Sequence, residues 1–159
     1  MARLMPYVDL CIANEEDAAD VFGIRAEHTD AAHGELDRGA YVSVARQLTE
    51  RFGCDAVGVT LRQSSSASDN IWSGMLYQGG EAYFSREYPV HIVDRVGGGD
   101  SFGGGLIHAL LSGFGAQRAV DFATAASCLK HSIEYDFNLV SEQEVSALAG
   151  GNASGRVQR

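Results

Sequence analysis

The chain has 159 residues, of which 45% are hydrophobic and 21% are charged, and these fractions are ordinary for a globular domain with one core. Its formal net charge of -9 argues against nucleic acid and anionic membranes as partners, because both require a basic face. No apolar run reaches membrane-spanning length, and three widely spaced cysteines indicate neither a disulfide framework nor a zinc site. We therefore expect a cytoplasmic protein with reduced thiols.

The first part of the chain predicts alternating strands and helices. Residues 7–13 form a short apolar run with β-branched members, which is typical of a buried strand. Asn14 can cap a helix with an acidic first turn, and Gly23 is placed to end it. Residues 37–53 have apolar side chains at helical spacing, and residues 56–61 are typical of a second buried strand. This order favours a parallel sheet with helices on its faces.

The rest of the chain predicts a hairpin, a further short strand and three helices. We expect a polar loop over residues 64–70 and a single domain over residues 1–149, followed by a loosely held tail over residues 150–159. The Ser-x-x-Glu spacing that begins at Ser141 is that of a capping box. The predicted elements are hairpin strands 71–78 and 81–85 around Gly79 and Gly80, a strand over 90–93, and helices over 100–112, over 116–129 and from Ser141.

Residues 94–105 are the most informative segment. They read Asp-Arg-Val-Gly-Gly-Gly-Asp-Ser-Phe-Gly-Gly-Gly, between a predicted strand and a predicted helix. Glycine lets backbone amides approach a phosphate closely, and a helix N-terminus adds unpaired donors and a partial positive charge. The segment therefore predicts an anion site, in which the natural role of Asp100 is that of a general base.

Plainer interpretations of this segment stay open. A Walker A loop would need Gly-Lys-Ser/Thr, and a dinucleotide fingerprint from Gly97 would need glycine where Phe102 stands, so neither motif fits. The glycines could instead form a tight turn whose small residues pack against a sheet. Asp100 could be a helix N-cap, a role compatible with that of a base because both need an ionised carboxylate.

The chain resembles the PfkB, or ribokinase-like, family of sugar kinases, whose signature Asp-Thr-x-Gly-Ala-Gly-Asp becomes Asp-Arg-Val-Gly-Gly-Gly-Asp over residues 94–100. The likeness is nearest to the 2-keto-3-deoxygluconate kinase branch. It implies an α/β, ribokinase-like fold with a mainly parallel sheet flanked by helices, and only the C-terminal part of that fold. The likeness extends, in the family's order, to residues 14–17 with 21–24, 59–63 with 72–74, and 136–140 with 153–156.

The resemblance implies roles for residues of this segment. Asp100 would take the proton from the attacking sugar hydroxyl, and the amides of Gly97, Gly98 and Gly99, with that of Asp100, would hold the transferred phosphoryl group. Two further residues would lie on the substrate side, namely Arg95, which could bind the carboxylate of an acid sugar, and Asp94. Asp94 has the plainer alternative of a hydrogen-bond acceptor that fixes the loop.

The resemblance also implies metal sites. Asn14 and Asp17 match the family's Asn-x-x-Glu motif, an organiser of Mg²⁺ and phosphate, with Asp in place of Glu. Glu16 could substitute for Asp17, and an ordinary helix cap explains the same spacing. A monovalent cation such as K⁺ would lie between the loop after Asp94 and residues 133–138.

The nucleotide, ATP, would lie between the end of the second strand, with Thr60 and Arg62, and the small-residue helix that contains Ala126 and ends near His131. A surface charge for Arg62 and a structural role for His131 are the alternatives. The predicted function is ATP-dependent phosphorylation of a sugar acid, with 2-keto-3-deoxygluconate favoured. Another PfkB sugar kinase, of the fructokinase or ribokinase type, and a non-catalytic nucleotide-binding piece are the alternatives. Because a missing half would leave sheet edges uncovered, we expect a homo-oligomer.

Overall fold

The computed structural model describes residues 1–13, 15–25, 37–64 and 66–151. The predictions for Asn14, for the side chain of Glu16 and for residues 152–159 lie outside this part of the chain. After a 3-10 turn at Met5–Tyr7, the elements are β1 Leu10–Ala13, α1 Glu15–Phe22, α2 Arg38–Phe52, β2 Ala56–Ser64, β3 Asp69–Gln78, β4 Glu81–Phe84, β5 Tyr88–His91, α3 Gly98–Leu111, α4 Ala116–Lys130 and α5 Glu142–Ala149.

The strands form one sheet in the order β1-β2-β3-β4, and β5 pairs with the start of β3. β1 and β2 are parallel, whereas β2–β3, β3–β4 and β3–β5 are antiparallel. The α/β class with flanking helices is therefore confirmed, but the described sheet is mixed and not mainly parallel. The reason is that β2 to β5 follow one another through short connections, which join antiparallel strands, instead of helical crossovers.

The two faces of the sheet carry two cores. Val57 and Leu61 of β2 pack with α1 and α2 on one face. Gly58, on the other face, lies under α3, where an added Cβ would be 2.7 Å from the Leu106 side chain. Gly74 of β3 is covered in the same way, because its Cβ would be 2.8 Å from the Phe102 ring. These two glycines let α3 lie directly on the sheet.

The helix ends follow the sequence signals. Asp37 caps α2 with its side chain, and Gly53 ends α2 in the left-handed conformation with a φ of 75°. Ser141 and Glu144 form the predicted capping box at the start of α5. No helix within the described ranges is long and apolar enough to cross a membrane.

Strand boundaries differ from the prediction where the partner strand sets them. β3 and β4 pair around the predicted glycine turn, but β2 and β3 also extend into the expected loop at residues 64–70. β5 spans Tyr88–His91 instead of residues 90–93, because it pairs with Asp69–Trp72 at the start of β3. The connection from β5 to α3 therefore spans residues 92–97, which is as long as expected but two positions earlier in the chain, and it contains the first part of the candidate site.

Candidate functional site

The anion loop, residues 94–100, leads from β5 into α3. Gly97 adopts the left-handed conformation with a φ of 79°, and the first hydrogen bond of the helix runs from the Ser101 N–H to the Gly97 carbonyl at 2.9 Å. The N–H groups of Gly99 and Asp100 precede this bond and have no acceptor among the described residues. They are therefore available to an anion at the positive end of the helix dipole.

Gly98 and Gly99 differ in their surroundings. A Cβ added to Gly98 would lie 2.8 Å from Cε1 and Nε2 of His131, whereas a Cβ on Gly99 would meet nothing within 4 Å. The Gly98 N–H also donates to the Arg95 carbonyl at 3.3 Å. Gly99 consequently has the open face and the available amide that suit a phosphate, and Gly98 needs its small size to pack on His131.

His131 supports the anion loop from beneath. Its side chain is 2% exposed, packs on Trp72 with 4.5 Å between ring centroids, and places Nδ1 2.7 Å from the Ser127 carbonyl. Because a carbonyl only accepts, Nδ1 carries the proton. Burial lowers the pKa of His131, against the opposing effect of the Ser127 bond, so the ring is neutral at neutral pH. The Ser127 hydroxyl donates to the Gly98 carbonyl at 2.7 Å and completes the support.

Asp94 ties the anion loop to the segment after α4. Its two carboxylate oxygens accept from the Val96 N–H and the Tyr135 N–H, each at 2.9 Å. The hydrogen bond from Val96, followed by that from Tyr135, holds the pKa of Asp94 below its usual value. The neighbouring Arg95 guanidinium donates to the Ala67 carbonyl in the β2–β3 connection. The structure therefore favours the loop-fixing alternative for Asp94 over contact with a substrate.

A cavity of about 590 Å³ opens beside Asp100 between α3, α4 and α5, within the size range of small-molecule sites. Asp100 is exposed at its edge, so a carboxylate, two available amides and the cavity meet at one place. The lining consists of Asp100, Ser101, Gly104, Gly105 and His108 from α3, Phe122 and Ala126 from α4, Asp136, Phe137, Asn138 and Val140 from the following segment, and Glu142 and Val145 from α5.

The cavity includes only part of the predicted nucleotide site. Ala126 lines it, together with Asp100. Thr60 and Arg62 do not line the cavity. Both lie on β2, where Thr60 is half-buried and Arg62 is exposed. His131 is also absent from the lining, because it is buried beneath the anion loop.

His108 and Phe122 are among the lining residues that the sequence did not predict. The ring centroids of His108 and Phe122 lie 5.5 Å apart, and His108 Nε2 is 3.5 Å from a carboxylate oxygen of Glu142. A signal for His108 was present, because it follows Asp100 by eight residues and helical spacing returns it to the same side of α3. Phe122 could have been found in the same way, four residues before Ala126 on α4.

Of the two predicted magnesium ligands, Asn14 and Asp17, the structure describes Asp17. Asp17 is exposed in the first turn of α1, and its charge raises the pKa of Cys11, after the larger effects of burial and of Cys54. No group of three His, Cys, Asp or Glu side chains in the described ranges could hold a metal ion. Mg²⁺ usually keeps several waters and binds through one or two carboxylates plus substrate phosphates. The pair of Asn14 and Asp17 therefore stays a prediction.

Comparison with known proteins gives consistent matches. The model of the pfkB family of carbohydrate kinases matches residues 1–134. The chain is 48% identical to a 2-dehydro-3-deoxygluconokinase from Thermotoga maritima, and its structure matches that crystal structure with a TM-score of 0.86 over 94% of this chain and 43% of that one. It is 28% identical over 151 residues to a 2-dehydro-3-deoxygalactonokinase from Haloferax volcanii, which corresponds to 94% of this chain and 41% of the relative.

A more distant match concerns the fold alone. Phosphofructokinase-2 from Escherichia coli, solved in complex with potassium, is 14% identical, with a TM-score of 0.70 over 94% of this chain and 43% of that one. In each of these comparisons the chain spans about two fifths of the length of the protein it matches.

Proposed function

The chain belongs to the pfkB family of carbohydrate kinases, as its sequence signature predicts, and we propose that it forms the nucleotide-side part of an ATP-dependent sugar kinase. The observation that carries the proposal is the meeting of Asp100 and the available amides of Gly99 and Asp100 at the edge of a cavity of about 590 Å³. The favoured acceptor is a hydroxyl of the sugar acid 2-keto-3-deoxygluconate. The names of the relatives from T. maritima and H. volcanii, both kinases of 2-dehydro-3-deoxy sugar acids, support this class of substrate.

In the proposed reaction, Asp100 acts on the sugar and the backbone acts on the phosphate. The Asp100 carboxylate takes the proton of the sugar hydroxyl as the hydroxyl oxygen attacks the γ-phosphorus, and the bond from that phosphorus to the bridging oxygen of ADP breaks. The amides of Gly99 and Asp100 stabilise the charge that the equatorial oxygens carry in the transition state. Exposure of Asp100 suits this role, because the base must reach a sugar outside the helix.

The nucleotide is proposed to lie in the cavity. Phe122 and Ala126 offer an apolar wall, and Asn138 is fixed there because its Nδ2 donates to the Ala126 carbonyl at 3.1 Å. Mg²⁺, when bound with ATP, would neutralise phosphate charge, and Asp17 with Asn14 stays the predicted ligand pair. Thr60 and Arg62 have no part in this arrangement.

We also propose that the enzyme acts in the cytoplasm and self-associates. The formal net charge of -9 leaves nucleic acid and anionic membranes as unfavourable partners. The edge strand β1 exposes Ile12, which is 40% accessible, and such an edge can pair with another chain. Sedimentation would test the oligomeric state.

The test is Asp100→Asn in the intact enzyme, with Glu50→Gln as the control. Both changes remove one exposed carboxylate, but Glu50 lies on α2 and outside the cavity lining, whereas Asp100 lies in the first turn of α3 and lines the cavity. With 2-keto-3-deoxygluconate and ATP in a coupled ADP assay, Asp100→Asn should lower turnover by roughly two to four orders of magnitude. Glu50→Gln should have little effect, and calorimetry should find ATP affinity little changed in both variants.

Two results would decide against the assignment. Near-normal turnover by Asp100→Asn would remove this carboxylate from the mechanism, and phosphorylation of fructose or ribose in preference to the sugar acid would replace the substrate. A second candidate function is nucleotide binding without transfer, for which the available amides of Gly99 and Asp100 and the cavity would be sufficient. That function predicts ATP binding with no sugar-dependent ADP release.

A further inference from the structure

Lys130 is an unusual residue of this chain. The sequence has twelve Lys and Arg residues, and Lys130 is the single lysine among them. It ends α4 and is 0% exposed, although lysine is almost never fully buried without a partner. The arginines within the described ranges are all exposed, so the compact ammonium of lysine stands where the charge is enclosed.

The ammonium lies between the anion loop and the return segment, which we define as residues 132–138. Its Nζ donates to the Ile133 carbonyl at 3.0 Å. Its Cε lies beneath the anion loop, only 3.2 Å from where a Cβ on Gly97 would be. Asp94 joins the same two segments, because it accepts from the Tyr135 N–H. The nearby Lys130 charge helps to lower the pKa of Asp94.

Both segments contain a residue in the left-handed conformation. Gly97 and Tyr135 have positive φ values of 79° and 65°, and Tyr135 is the one non-glycine residue with a positive φ within the described ranges. The Asp136 carbonyl lies so close to Gly97 that no side chain could fit between them. A positive charge at the centre offsets the carbonyl dipoles that this packing brings together.

We propose that the Lys130 ammonium is an internal cation that holds the anion loop on the return segment, and that it replaces a bound monovalent metal ion. The proposal rests on the proposed function only in taking the loop to be the phosphate site. Lys130 is thus a positioning residue, which acts on the ligand through the loop. The chain should then need no potassium.

The residues do not fit K⁺ between these segments. Such an ion needs several oxygens in place of its hydration shell. The Ile133 carbonyl, which would be one of these oxygens, already accepts from the Lys130 ammonium at 3.0 Å. A second cation would also be repelled by the buried ammonium, which water screens only weakly.

The first measurement is the melting temperature of the full chain in potassium, sodium and tetramethylammonium chloride at equal concentration. The wild type should melt at the same temperature in all three salts. Lys130→Met, which keeps the shape of the stem and removes the charge, should melt roughly 3–12 °C lower, as expected for the loss of a hydrogen bond from a charged group. In potassium chloride, but not in the other two salts, this variant should regain part of the lost melting temperature.

The control variant is Arg62→Gln, which removes an exposed charge on β2 and should melt like the wild type. A potassium-specific rise in the melting temperature of the wild type would overturn the proposal. An equal response of Lys130→Met to all three salts would also overturn it, because the vacated place would then accept no cation.

The second measurement needs no variant. The chain has two primary amines, the N-terminus and Lys130. Under an amine-acylating reagent, mass spectrometry of the native chain should show modification at the N-terminus and protection of Lys130 until the chain is denatured. Reaction of Lys130 as fast as the N-terminal amine would contradict an enclosed ammonium. None of these measurements involves ATP or a sugar, so their outcome is independent of the Asp100 test.

Discussion

Replacing Gly98 and Gly99 separately with alanine should change stability in opposite directions. At Gly98 the new methyl group would lie 2.8 Å from two atoms of the buried His131 ring. The ring cannot move freely, because it is held by the Ser127 carbonyl and by Trp72. Overpacking of this kind costs about 1–3 kcal/mol, of which the better helix propensity of alanine recovers up to about 1 kcal/mol. Gly98→Ala should therefore be destabilised by about 1–2 kcal/mol.

At Gly99 the same methyl group meets nothing within 4 Å. The residue lies in the first turn of α3, so the substitution should be neutral or stabilising by up to about 1 kcal/mol. In a chain of this length, 1 kcal/mol corresponds to roughly 2–4 °C in melting temperature. The methyl group would nevertheless stand where a phosphate must approach, so ATP affinity should fall in Gly99→Ala although its stability does not.

Thermal unfolding followed by circular dichroism would measure the change in stability. Calorimetry with ATP–Mg on the intact enzyme would measure the change in ATP affinity. A Gly98→Ala variant as stable as the wild type would refute the packing of α3 on His131. A Gly99→Ala variant with unchanged ATP affinity would show that this face of the loop is not the phosphate site. A residue larger than glycine at position 98 should therefore do harm through its packing on His131 and not by obstructing the ligand.

Two further predictions concern the supports of the site. Burial lowers the pKa of His131 in the folded chain below its usual 6.5. The unfolded chain therefore binds the proton more tightly than the folded chain does. The stability that the neutral ring contributes is complete above pH 6.5 and is lost as the pH falls below 6.5. The urea concentration at the unfolding midpoint should therefore decrease as the pH is lowered below 6.5. A midpoint that does not change with pH would contradict the burial of the ring. Ser141→Ala should remove the capping box of α5 and cost about 1 kcal/mol, whereas Ser146→Ala, an exposed change on the same helix, should cost little. Equal urea midpoints for these two variants would show that the cap contributes nothing.

The local features of this protein can be predicted from its sequence, because each depends on a few adjacent residues. The helix end at Gly53, the capping box at Ser141 and the turn at Gly79 and Gly80 require particular backbone angles or side-chain oxygens, and these requirements can be recognised in a short window. The glycine segment before Asp100 is of the same kind. Its signature was sufficient to predict the family.

Other features arise only when the chain folds, because they depend on residues that are distant in sequence. The antiparallel pairing of β5 with β3 joins residues about twenty positions apart, and no local pattern distinguishes it from a parallel partner. Likewise, the cavity combines α3, α4 and α5, so that His108 and Phe122 became visible as lining residues only in three dimensions.

The same limit applies to the individual glycines and charges of the site. In sequence Gly98 and Gly99 are equivalent, and the fold makes one a packing position on His131 and leaves the other open. Lys130 reads as a favourable charge at a helix C-terminus, and the return of the chain at Ile133 encloses it beneath the anion loop. Sequence thus specifies which groups are present, and burial and distance, which arise only when separate elements pack together, decide what each group does.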